Sequence, residues 1–186
     1  DLYDGVDITV GLLLFSTNQQ FLLGSDDTVL NPDTAKLKSI SSFNYNKEIP
    51  PISLNTSVGF IDNSGKYSRF NEMALIDRER EPVIVETSKL VPSLLPKSID
   101  LITNSRENQI VLFASTTDTV TTDGKKTVYG FKYLFTGEQR PQSSWFKWKF
   151  NQDLKYHFII DDSFYLLDTN NFLQKVNLVQ DTDESI

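Results

Sequence analysis

The apolar residues of this chain come in short runs of period two, separated by clusters of Asp, Asn, Ser and Gly. That rhythm limits the fold to antiparallel β-sheet, because strands alternate faces every residue and tight turns need residues that tolerate positive φ. Val6-Asp7-Ile8-Thr9-Val10 alternates, Gly11 to Phe15 follows, Ser16 to Gln20 interrupts, and Phe21-Leu22-Leu23 resumes. Val58 to Ile61 leads through Asp62-Asn63-Ser64-Gly65-Lys66 into Tyr67 to Phe70. Ile99 to Ile102 leads through Thr103 to Asn108 into Gln109 to Ala114. Thr119 to Thr122 leads through Asp123-Gly124-Lys125-Lys126 into Thr127 to Phe131. Tyr156 to Ile160, Phe164 to Leu167 and Phe172 to Val179 follow one another across Asp161-Asp162-Ser163 and Asp168 to Asn171. Repeated hairpins of this kind build propellers, sandwiches or barrels. The aromatic-rich second strands favour propeller-like blades over a plain meander, so the predicted fold is all-β with β-propeller-like blades of antiparallel hairpins.

Two stretches break the rhythm. Asn31 to Leu54 contains Pro50-Pro51, which no central strand accepts, and reads as an extended surface excursion. Glu72 to Arg80 has the composition of a short helix or loop, ended by Pro82. Ser88 to Pro96 reads as a linker to the next blade. Residues 1–180 read as one all-β domain or as an interior segment of a larger protein, and 181–186 as an acidic frayed tail. The first residue is Asp1, without a Met or a signal peptide, so the expectation is a chain that starts inside a gene product.

Composition closes off several functions. No cysteine means no disulfide, thiolate metal site or cysteine nucleophile, and one histidine allows no multi-histidine metal site. No run of about 18 apolar residues exists to span a bilayer as a helix. The net charge is −7, with a pI near 4.7. Bulk electrostatics therefore does not draw the chain to nucleic acid, although a local basic patch still can.

His157 is the one candidate for base catalysis. It is read as a residue packed in a sheet, because neighbouring Asp161 and Asp162 need not share its face and no nucleophile elbow is present. The pairs Asp26-Asp27, Asp161-Asp162 and Asp181/Asp183 read as solvated turn residues rather than glycosidase acids. Asp62-Asn63-Ser64-Gly65 begins like a calcium loop, but Phe70 and Met73 stand at the later ligand positions. Gly124-Lys125-Lys126 lacks the upstream glycine of a phosphate loop. No catalytic residue, cofactor or metal is expected.

Trp145 to Phe150 is the most distinctive strand. Phe146, Trp148 and Phe150 alternate with Trp145, Lys147 and Lys149. One face is then aromatic and the other mostly basic. Lys147 and Lys149 are a candidate basic face for nucleic acid, or an ordinary solvated lysine stripe.

This segment also resembles a known family. Val128-Tyr129-Gly130-Phe131-Lys132-Tyr133 and Gly137-Glu138-Gln139-Arg140-Pro141-Gln142-Ser143-Ser144-Trp145-Phe146-Lys147-Trp148 resemble the tail tubular protein B, or tail nozzle, proteins of autographivirus-type short-tailed phages, including those of marine cyanobacteria. Phe43 to Lys47 with Pro50-Pro51, Gly65 to Phe70, Leu90-Val91-Pro92 with Leu95-Pro96-Lys97, Asn104 to Asn108 and Tyr156 to Asp162 match in family order. The resemblance implies a virion structural protein rather than an enzyme, made in the host cytoplasm. It implies a hexameric tube that meets the tail adaptor protein, helps hold the tail fibres and passes genomic DNA. It also implies a propeller-type domain in this part. The alternative reading is a carbohydrate-binding or glycan-cleaving β-domain acting at the host surface, to which exposed aromatics would be essential. A ring-forming subunit needs surfaces for its neighbours, and Phe43, Tyr45, Ile49 and Ile52 in the stiffened excursion are the candidate interface.

Overall fold

The computed structural model describes residues 1–8, 11–25, 31–75, 82–117, 125–134 and 142–178. Among them the regular structure is strand, apart from one 3-10 turn at Thr87–Leu90. The chain divides into two compact units, Asp1–Lys97 and Ser98–Ile186.

In the first unit, β1 (Asp4–Ile8), β2 (Gly11–Phe15), β3 (Gln20–Ser25) and β4 (Ala35–Ser41) form sheet 1. β5 (Ile52–Ser53), β6 (Ser57–Asp62), β7 (Arg69–Leu75) and β8 (Pro82–Glu86) form sheet 2. Each is an antiparallel meander whose spatial order is the sequence order. In the second unit, β9 (Leu101–Ser105), β10 (Ile110–Ala114), β11 (Lys126–Leu134) and β12 (Gln142–Phe150) form sheet 3 in the same way. β13 (Tyr156–Ile160), β14 (Ser163–Leu167) and β15 (Leu173–Asn177) form the three-stranded sheet 4. Four-stranded meanders are the blade unit of propellers, so the all-β, blade-like reading of the sequence holds.

The core of each unit is a layer of side chains between its two sheets. Leu13 and Phe15 from sheet 1 meet Val58, Phe60 and Met73 from sheet 2, with Tyr45 between them. The Phe15 and Tyr45 rings lie 4.9 Å apart, and those of Phe15 and Phe60 lie 5.3 Å apart edge to face. In the second unit Ile110, Leu112, Ala114 and Val128 of sheet 3 meet Phe164 and Leu166 of sheet 4. Full burial of one such side chain contributes about 1.5–3 kcal/mol.

Two glycines are fixed by geometry. Gly11 has φ +142 as the chain enters β2, and a Cβ there would collide with the Leu23 carbonyl. Gly130 on β11 lies opposite Phe146 on β12, and a Cβ would enter the Phe146 ring. The ring covers the glycine, an arrangement that fixes register across a strand pair.

The structure corrects several expectations of detail. Glu72 to Leu75 continue β7 instead of starting a helix, since Asn71 and Glu72 pair with Glu86 and Val85. Pro82 opens an edge strand, where its missing N–H is harmless. Residues 76–81 lie outside the described residues. The excursion begins later than expected, because Ala35–Ser41 pair with β3. Thr103 to Ser105 belong to β9, so that turn shortens to residues 106–109, with Gln109 at φ +51. β1 is described as far as Ile8, and Thr9, Val10, the Thr119 to Gly124 hairpin arm and the tail after residue 178 lie outside the described residues.

Candidate functional site

The excursion carried the predicted interface, and its anchors separate. Gln20 is fully buried at a register shift between β3 and β4. Its amide Nε2 donates to the Phe43 carbonyl at 2.9 Å, and its Oε1 accepts from the Ser41 hydroxyl and the Phe43 N–H. This clamp turns the chain out of sheet 1. The Tyr45 N–H then donates to the Thr17 carbonyl and the Asn46 N–H to the Ile61 carbonyl, each at 2.8 Å. Tyr45 is 3% exposed, with its hydroxyl within donating distance of Asp4 and of the Ile49 carbonyl. Burial, then the hydrogen bond and charge of Asp4, push the phenol well above its ordinary range.

Of the candidate interface residues, Tyr45 and Ile49 are buried, and Tyr45 packs in the core of the first unit. Ile52 is half-buried on the short β5. Phe43 keeps 38% exposure and stays at the surface. Sequence reasoning missed Gln20, whose only signal was a polar residue at the junction of two apolar runs.

β12 shows the predicted alternation. Phe146, Trp148 and Phe150 pack toward the core of the second unit, while Lys147 and Lys149 are exposed. The strand is an edge of its sheet. The Lys147 ammonium sits 5.5 Å from the centroid of the Tyr129 ring, its cross-strand neighbour. The two tryptophans are half-buried against aromatic neighbours: Trp145 stacks on Phe113 at 5.7 Å and Trp148 lies 5.0 Å from Phe146.

His157 points into the core of the second unit, 5.4 Å from the Phe164 ring and only 2% exposed. Neither ring nitrogen makes a hydrogen bond of good geometry among the described residues, the Leu101 backbone being the ring's one weak polar neighbour. Burial pushes its pKa down to about 4, against a weaker upward pull from the Leu101 backbone. The ring is neutral at pH 7 and is enclosed rather than open to a substrate.

The acidic residues fix turns. Asp62 Oδ1 accepts from the Ser64 N–H at 2.7 Å, Asp168 Oδ1 accepts from the Asn170 and Phe172 N–H groups, and Asp100 holds Thr116. Asp162 accepts from the Asn108 side chain at 2.8 Å. Asp26, Asp27, Asp181 and Asp183 lie outside the described residues. No group of three or more His, Asp or Glu that could hold a metal occurs among the described residues.

The polar groups described here clamp turns and loops over the cores of packed sheets. The model of the bacteriophage nozzle protein family matches residues 1–185, and the chain belongs to that family. Its role is accordingly structural, in the phage tail of the virion. No curated protein matches the sequence.

Proposed function

We propose that this chain is an all-β segment of a larger nozzle subunit, that the subunit assembles as a hexameric ring, and that the ring forms part of the channel for genome ejection. In this reading it also meets the tail adaptor protein and supports the tail fibres, acts without catalysis, and is made in the host cytoplasm before entering the virion. The observation that carries the reading is the family match over nearly the whole chain.

Two surface features support it. Phe43 is an exposed aromatic on a clamped, proline-stiffened arm, which lowers the entropy lost when it docks on a neighbour. Lys147 and Lys149 on an exposed edge strand give an acidic protein a local place to touch passing DNA. The glycan-binding alternative has less support, because Trp145 and Trp148 are engaged with aromatics of their own sheet.

Electron microscopy of the purified full-length protein tests the reading. Sixfold rings with an open centre are expected. Single particles without rings at every concentration would overturn it.

A further inference from the structure

Gln20 opens β3 in a run that is otherwise apolar, Gln20-Phe21-Leu22-Leu23, and it lies across from Phe15 of the core. It is fully buried. A polar group in such a place costs stability unless it is hydrogen-bonded, so its partners explain its presence. The register of β4 supplies them. Phe21 pairs with Ser39 and Gln20 with Ser41, which leaves Ile40 as an extra residue between the two pairs. Ile40 packs against the core of the first unit, and strict alternation would send Ser41 to the other face. The extra residue instead sets Ser41 across from Gln20. Irregularities of this kind end strand pairing and re-aim the chain.

The glutamine carboxamide then does what a neighbouring strand would do. Its Nε2 donates to the Phe43 carbonyl at 2.9 Å, and its Oε1 accepts from the Phe43 N–H at 3.3 Å. One side chain thus bonds both backbone groups of one residue. The Ser41 hydroxyl donates to the same Oε1. Glutamate has no donor for the carbonyl, and asparagine is one carbon shorter, so neither replaces it. Phe43 is held by its backbone outside any strand, while its ring stays exposed. Beyond it, the Asn44 amide donates to Ser64 Oγ at 3.1 Å and the Tyr45 N–H to the Thr17 carbonyl. A surface aromatic on a backbone fixed at both sides is preorganised for contact.

We infer that Gln20 is the positioning residue of the contact read above for Phe43: its buried carboxamide sets where the ring is presented. This deepens the reading of Phe43 as a docking residue and rests on it, while every bond that holds the ring in place lies within the first unit.

Hydrogen exchange, read by mass spectrometry at single residues, and sedimentation of the full-length protein test it. Gln20→Met keeps the length of the side chain and removes both polar atoms. Exchange of the Phe43 amide should rise about tenfold or more. The Tyr45 and Asn46 amides, bonded to Thr17 and Ile61, should keep their protection and so report an intact fold. Ring assembly should weaken about tenfold or more in Gln20→Met and in Phe43→Ser, and the double variant should be no weaker than Phe43→Ser alone. A residue that acts only through the Phe43 ring has nothing left to position once the ring is gone. Ser41→Ala removes one of the two donors to Oε1 and is the milder variant if Gln20→Met does not fold; it should show the same pattern at smaller size. A Phe43 amide that exchanges no faster in the folded variant, or losses of assembly that add in full, overturns the inference and leaves the docking reading standing. Assembly unchanged by Phe43→Ser overturns the docking reading, and the inference falls with it.

Discussion

Gly130 carries a constraint that no other residue type meets, because the Phe146 ring occupies the space of its missing side chain. Gly130→Val should destabilise the chain by about 1–3 kcal/mol through overpacking, measured by urea unfolding. The partner change Phe146→Ala should rescue part of that loss, because it removes the clash. His157 makes the other residue-scale prediction. Its folded pKa is about 4, below the ordinary value of 6.5. Between pH 7 and pH 5 the unfolded chain takes up a proton there and the folded chain does not. Stability contributed by the buried neutral ring is therefore full above pH 6.5 and is lost as pH falls toward 4. The expected loss from pH 7 to pH 5 is about 2 kcal/mol. His157→Leu should flatten the slope in that window and leave the carboxylate-driven fall below it. An unchanged slope would mean that the ring is solvated in the folded state.

At the scale of elements, the arm after β4 separates packing from docking. Tyr45→Ser removes a ring packed on Phe15 and Phe60 and should cost about 3–5 kcal/mol of stability. Phe43→Ser should change stability by less than about 1 kcal/mol, since surface changes away from special features are small. If Phe43 docks on a neighbour, the same change weakens ring assembly of the full-length protein, seen by analytical ultracentrifugation. The contrast also shows what was legible in the sequence. Strand-and-turn rhythm placed β13–β14 well and found the β6–β7 and β9–β10 hairpins through their Asp-, Asn- and Gly-bearing turns, but it misjudged the bounds of β7 and β9. It failed at β4, where Lys36 and Lys38 hide a strand whose partner is fixed by Gln20. At Tyr45 patterning alone says little, because an apolar residue in a proline-rich stretch packs on its own unit or on a neighbour; the hydrogen bonds of this arm to Thr17 and Ile61 are what place the ring in the core of the first unit.

At the scale of the whole chain, all-β character and family were readable from the sequence, the first from period-two patterning and the second from ordered motifs. The division near Lys97 was not, because the Ser88 to Pro96 linker looks like any other connection between blades. The central claim is that the chain is a structural part of the phage tail nozzle. The most direct measurement is electron microscopy of intact particles decorated with an antibody raised against this chain. The account predicts label on the tail below the capsid, in a ring whose averaged symmetry is sixfold. Label confined to the capsid shell, or particles that carry none while the chain is found free in the lysate, would contradict it.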